Sequence, residues 1–381
     1  MSNIDAILKD AVASQDVPFV VAMAADRMGV TYSGAAGDAA DGRAAGEETV
    51  FRIFSMTKAV GSLAAMMTID RGKFDLETPV EDILPEFADL MVLDRFENGE
   101  PVMRAPKTKA TVRHLATHTS GLEYEFWNTD MPRYMEATGH PSILTGTRQA
   151  LNYPLMTDPG TRWGYGPSID WLGQAVEKVD GRRIDQYCRE EIFEPLGMTS
   201  TAFEVSDEMA SRLASVYARG PDGTFGPFDL APPPQPEVYG MGHALYSSAP
   251  DYLRFLQMFL NGGELDGERL LSEDGLRTML ADQMDGLSFE KMVTVVPEVT
   301  ADCDPLPDAH RTHSFGFLRN EDDIPGMRAA GSQSWAGVLN THYWFDPAHD
   351  VAAVIMTQSL PFVEPRYMRL YEAYEKAVYA A

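Results

Sequence analysis

The 381 residues are 44% apolar and 23% charged, ordinary globular proportions that exclude general disorder, a collagen-like repeat and a small disulfide scaffold. Thirty-one Lys and Arg against 57 Asp and Glu leave a net charge of −26, a field that repels nucleic acid and anionic membranes, so neither is expected as a partner. The carboxylates are scattered without a long run, which points to solubility or a salty habitat rather than to a basic ligand.

The length suggests two domains, or one domain with an inserted lobe. Residues 1–6 show no basic segment followed by an apolar run, and no stretch approaches the ~18 consecutive apolar residues of a membrane span, so the expected location is cytoplasmic. Residues 4–13 read as an amphipathic helix, and 17–25 with 29–33 as a β-hairpin. An Ala/Met/Leu-rich helix is expected from Ser55 to Asp70, stopping near Gly72. From about 75 to 235 short helices and Pro/Gly loops predominate, with helical periodicity clearest over 169–179 and 185–193. Pro232-Pro233-Pro234-Gln235-Pro236 reads as a stiff linker. Beyond it come a helix over 251–260, an irregular stretch over about 282–315, strands over 329–345 and 351–359, and a closing helix over 364–380. Sheet segments at both ends surround a helical middle, so the ends must fold together. The expected fold class is α+β, with a discontinuous sheet lobe of residues 1–65 and 240–381 and a mostly helical lobe of 66–239.

The two cysteines, Cys188 and Cys303, have no CxxC partner and no His at finger spacing, so no disulfide framework or structural zinc site is expected. His114 and His118 have the i, i+4 spacing of a zinc helix, but Leu115 stands where a general base would be. His310 and His313 among nearby aspartates read as a solvated loop. No G-x-S-x-G occurs, which argues against an α/β-hydrolase elbow.

Ser55-Met56-Thr57-Lys58 lies at the expected start of the apolar helix. A serine in a first helical turn sits near unpaired amides and the positive end of the dipole. A lysine three residues on shares its face, about 5–6 Å away between β-carbons. Burial among Met56, Val60 and Leu63 would depress the Lys58 pKa, as a base requires. The same S-x-x-K spacing recurs at Ser288-Phe289-Glu290-Lys291, where Glu290 is expected to pair Lys291 and leave the motif incidental. Tyr165, in Trp163-Gly164-Tyr165-Gly166-Pro167-Ser168, sits on a loop entering a helix, and Ser334-Trp335-Ala336-Gly337-Val338 begins a strand.

Taken in this order, the three motifs resemble those of serine hydrolases with the class C β-lactamase and penicillin-binding-protein fold. Asp75–Val80, Thr111–Leu122, Glu194–Met198 and Leu253–Gly263 carry the resemblance along nearly the whole chain. Trp335-Ala336-Gly337 departs from the Lys-Thr-Gly of β-lactamases and resembles the Trp-Gly-Gly of family VIII carboxylesterases. Gly166-Pro167 departs from Tyr-x-Asn, leaving open whether Ser168 supplies the missing side chain.

The resemblance implies a serine carboxylesterase for small neutral esters. Ser55 would be the nucleophile, Lys58 and Tyr165 would share the proton transfers, and the backbone amides of Ser55 and Val338 would form the oxyanion hole. Trp335, Ala336 and Gly337 would contact the substrate. No cofactor and no metal is expected, the expected partner is a small ester, and oligomeric state is not legible. The alternatives are an acyltransferase using the same site, a weak β-lactamase or DD-peptidase, and a catalytically silent binding protein.

Overall fold

A computed structural model describes residues 2–380. Eight antiparallel strands form the main sheet, in the order Arg311–His313, Leu318–Asn320, Gln333–Gly337, Thr341–Asp346, Val351–Met356, Phe19–Ala25, Val30–Ala40 and Arg43–Ala44. The two chain ends meet at its centre, where Val21 pairs with Met356 and Ala25 with Ala352. Phe19–Ala25 is buried along its whole length, the pattern of a strand covered on both faces.

Alternation of side chains sends Val20, Ala22, Trp344 and Ile355 to one face, under the helices Ser2–Ala13 and Pro365–Tyr379. Phe19, Val21, Tyr343 and Val354 go to the other and join the main core with the helices Thr57–Asp70 and Ala249–Leu260. The closing helix buries Tyr367, Leu370 and Tyr374 at spacings of three and four, one helical face. It is further held by Arg328, 1% exposed, whose guanidinium donates to both oxygens of Glu375 at 2.7 and 2.8 Å and to Tyr371 Oη at 2.6 Å. The chain is thus of mixed α and β content with an antiparallel sheet flanked by helices, the expected fold class.

Several boundaries differ from expectation. The 329–345 stretch is two strands, Gln333–Gly337 and Thr341–Asp346, because Asn340 takes a left-handed φ of 59° and reverses the chain. The apolar helix begins at Thr57, after a separate 3₁₀ turn at Phe54–Met56. The 185–193 stretch is a helix, Ile184–Cys188, that widens into a π turn over Arg189–Phe193. Between the sheet segments, the hairpin Val92–Glu97 with Glu100–Arg104 was not anticipated, although Asn98-Gly99, both at positive φ, is the dipeptide such a two-residue turn requires. The proline run is not a bare crossing, since Gln235 N–H donates to Glu204 at 2.8 Å beside it. Cys188 and Cys303 are free and buried. No helix among the described residues is long and apolar enough to cross a membrane.

Candidate active site

The Thr57–Asp70 helix is buried from Thr57 to Thr68, which explains why its sequence is apolar all round rather than striped. Its entry is strained. Phe54 holds a φ of 40°, a region rarely adopted by a residue with a β-carbon and costing on the order of 1–3 kcal/mol. The surroundings over-determine that turn: Tyr252 Oη donates to Met56 O at 2.8 Å, and Leu245 N–H donates to Thr57 Oγ1 at 3.1 Å. The result is a half-buried Ser55 presented at the wall of a cleft.

Lys58, 1% exposed, brings Nζ to 3.2 Å from Ser55 Oγ. The same ammonium nitrogen reaches Tyr124 Oη at 3.1 Å and Gly242 O at 2.8 Å. Tyr165 faces Ser55, and its oxygen accepts the Trp335 Nε1–H at 3.0 Å. A continuous line of contacts therefore runs from Tyr124 through Lys58, Ser55 and Tyr165 to Trp335. Burial pushes Lys58 down to about 7, with the charge of Asp170 opposing it. Burial pushes the Tyr165 phenol up, partly offset by Ser55 and Trp335, and holds Tyr124 well above the usual phenol range. Near neutral pH the lysine is thus within reach of losing its proton while both phenols keep theirs. His118, against the Tyr165 ring at 4.9 Å between centroids, is held neutral by burial, His313 and Lys58.

The Gln333–Gly337 strand closes the other side. A β-carbon at Gly337 would lie 2.2 Å from Ile53 O, so only glycine lets the strand press against the residues leading into Ser55. Val338 follows at once and lines the cleft beside Ser55. Trp335 and Gly337 face this side. Ala336 pairs across from His342 on the opposite sheet face, where His342 packs on Tyr367 and Tyr371 of the closing helix. Ala336 also lines the cleft.

Ser168 does not supply the missing side chain, because its Oγ lies buried at 2.8 Å from Ser120 Oγ. Sequence reasoning also passed over Tyr124, whose signal was its position two residues beyond the Thr111–Leu122 signature. The second S-x-x-K is dispersed: Ser288 is exposed and bonded to His310 at 3.2 Å, and Lys291 pairs with Asp302 at 2.9 Å, not with Glu290, which pairs with Arg162. His114 belongs to a helix cap, its Nδ1 accepting from Thr111 N–H at 3.1 Å.

The cleft measures about 780 Å³. Phe126, Trp127, Leu144 and Phe228 form one apolar wall, and Met292 and Leu306 of the irregular segment form another. That segment is tied across the cleft by Val295 N–H to Phe126 O at 3.0 Å and by pairing of Thr300 with Phe362. The cations Lys291, Arg328 and Arg369 on its lining are paired with Asp302, Glu375 and Asp16.

The Beta-lactamase family profile matches residues 4–377. The chain is 29% identical over 344 residues to the acyltransferase calJ of Penicillium decumbens, covering 88% of this chain and 81% of the relative. It is 25% identical over 332 residues to the lovastatin esterase of Penicillium rubens, covering 82% and 80%. Among solved structures, unliganded simvastatin synthase (LovD) from Aspergillus terreus superposes with a TM-score of 0.85 at 27% identity, over 99% of this chain and 97% of that one.

Proposed function

The chain belongs to the Beta-lactamase family and is an enzyme acting on ester or acyl groups; from that premise we propose that it is a serine acyltransferase moving a small acyl group onto the hydroxyl of a larger, neutral, apolar acceptor. The observation that carries the reading is the apolar cleft of about 780 Å³ around Ser55, with room for an acceptor beside an acyl-enzyme and walls that disfavour water. The similarity to the acyltransferase calJ and to simvastatin synthase supports it, and the carboxylesterase expected from the motifs becomes the second reading, favoured by the similarity to lovastatin esterase.

In this mechanism neutral Lys58 takes the Ser55 proton as Oγ attacks the donor carbonyl. The amides of Ser55 and Val338 stabilise the oxyanion. The Lys58 ammonium then delivers that proton to the departing oxygen, which the Tyr165 phenol, still protonated and held by Trp335, hydrogen-bonds as the bond breaks. The acceptor hydroxyl then gives its proton to neutral Lys58 while its oxygen attacks acyl-Ser55, and Lys58 passes that proton to Ser55 Oγ as the new ester leaves. Trp335 supplies no cation, and the cleft's Lys291, Arg328 and Arg369 are already paired, so a substrate carboxylate beside Ser55 would be left unpaired at a cost of several kcal/mol.

The test is product partition. With p-nitrophenyl butyrate as donor and a bulky apolar alcohol present at millimolar concentration, the new ester should exceed free butyrate. Butyrate as the sole product across a panel of such alcohols would leave the esterase reading standing instead. A second expectation concerns the strand: Gly337→Ala should push it away from Ile53 and move the Val338 amide, lowering kcat/KM by roughly the 10²-fold of a lost oxyanion donor. Unchanged kinetics in a folded Gly337→Ala chain would remove Val338 from the oxyanion hole.

A further inference from the structure

Lys58 is faced by uncharged groups on most sides: Ser55 from the 3₁₀ turn, Tyr124 and neutral His118 from the loop after the Val112–Ala116 helix, Tyr165, and the Gly242 carbonyl. The carboxylate that acts on it comes from the Ser168–Asp180 helix. Asp170 has a fully buried side chain, and one of its oxygens, Oδ2, has no hydrogen-bond partner. Its Oδ1 accepts the Gly242 N–H at 3.1 Å, and His243 Nδ1 lies 3.5 Å away. The loop wraps closely round this carboxylate: a β-carbon at Gly242 would stand 2.3 Å from Oδ2, and one at Gly240 2.5 Å from Oδ1. One residue, Gly242, is therefore gripped by Asp170 at its N–H while its carbonyl receives Lys58.

A buried carboxylate with an unpartnered oxygen is costly, and a neutral side chain would hold Gly242 as well. What only the anion supplies is a negative potential beside a buried amine, in surroundings where water screens it poorly. We propose that Asp170 is the positioning residue of Lys58, clamping the Gly242 carbonyl that aims Nζ at Ser55 and setting, by its buried charge, the pH at which Lys58 becomes a base. The proposal rests on the reading of Ser55 and Lys58 as nucleophile and base. Without Asp170 the opposition to burial noted for Lys58 disappears, and the ammonium loses its proton at lower pH.

The experiment measures the rate of Ser55 labelling by a fluorophosphonate against pH, in wild type, Asp170→Asn and Asp170→Ala, with Ser55→Ala as the control and circular dichroism to verify folding. Asp170→Asn keeps an acceptor for Gly242 N–H but not the charge, so the acid limb should move down by half a pH unit or more, with the high-pH plateau within threefold of wild type. Asp170→Ala loses the clamp too, so its plateau should fall tenfold or more. Asp170→Ser, a smaller neutral acceptor, carries the same expectation for the limb if the Asn chain does not fold. A limb that stays in place or moves up in the neutral variants overturns the proposal, as does a His243→Gln limb that moves as far as that of Asp170→Asn, which would assign the titration to His243. Labelling that persists in Ser55→Ala would instead sink the underlying reading of the site.

Discussion

Ser55→Ala should eliminate fluorophosphonate labelling and lower acyl transfer and ester hydrolysis by roughly the 10⁶-fold seen when a serine nucleophile is removed. The reason is geometric. Ser55 is the serine whose oxygen lies at 3.2 Å from the buried Lys58 nitrogen and in contact with Tyr165, on a strained turn that leaves it at the cleft wall. Ser288→Ala is the matched control and should retain wild-type rates within about twofold, because Ser288 is exposed and Lys291 is held by Asp302. Loss of labelling in Ser288→Ala, with Ser55→Ala still labelled, would reverse the assignment.

Lys58→Met should preserve the packing of a long buried side chain and reduce kcat/KM by roughly 10²- to 10⁴-fold, the range of a lost proton-transfer group. It should also change the shape of the pH profile. Lys58 is pushed down to about 7 by burial, and only its neutral form accepts a proton. Wild-type kcat/KM should therefore rise about tenfold per pH unit below 7 and level above 8, and Lys58→Met should lose that limb. Lys58→Arg should not rescue activity, since a guanidinium stays protonated across this range. A Lys58→Met chain with full activity and an unaltered acid limb would transfer the base role to another group.

The candidate nucleophile Ser55, Lys58 and Tyr165 were legible because each lies in a local pattern. Ser55 and Lys58 share a helical face by spacing alone, and Tyr165 sits in a loop of Gly and Pro just before a helix. The same local logic read the burial of Lys58 from its apolar neighbours. It misjudged the partner of Lys291, since Glu290 is adjacent in sequence whereas Asp302 is brought in by the pairing of Met292 with Cys303. It likewise joined two strands across Asn340, whose turn conformation depends on side-chain bonds to Ser359 O at 2.9 Å and Pro361 O at 3.0 Å.

By itself, then, the sequence determined the α+β class and the Ser55–Lys58 spacing that makes Ser55 the candidate nucleophile, because these follow from periodicity and spacing within about twenty residues. Only the tertiary structure decided that Tyr124 rather than Tyr165 bonds Lys58, that Trp335 acts on the Tyr165 oxygen, that Ser168 turns away to Ser120, and that Asp170 lies behind Gly242. Those contacts join residues 48 to 170 positions apart. Hydrogen bonds and buried charges act over a few ångströms in space, and no pattern of residue types along the chain records which distant side chains the folded core will place within that range.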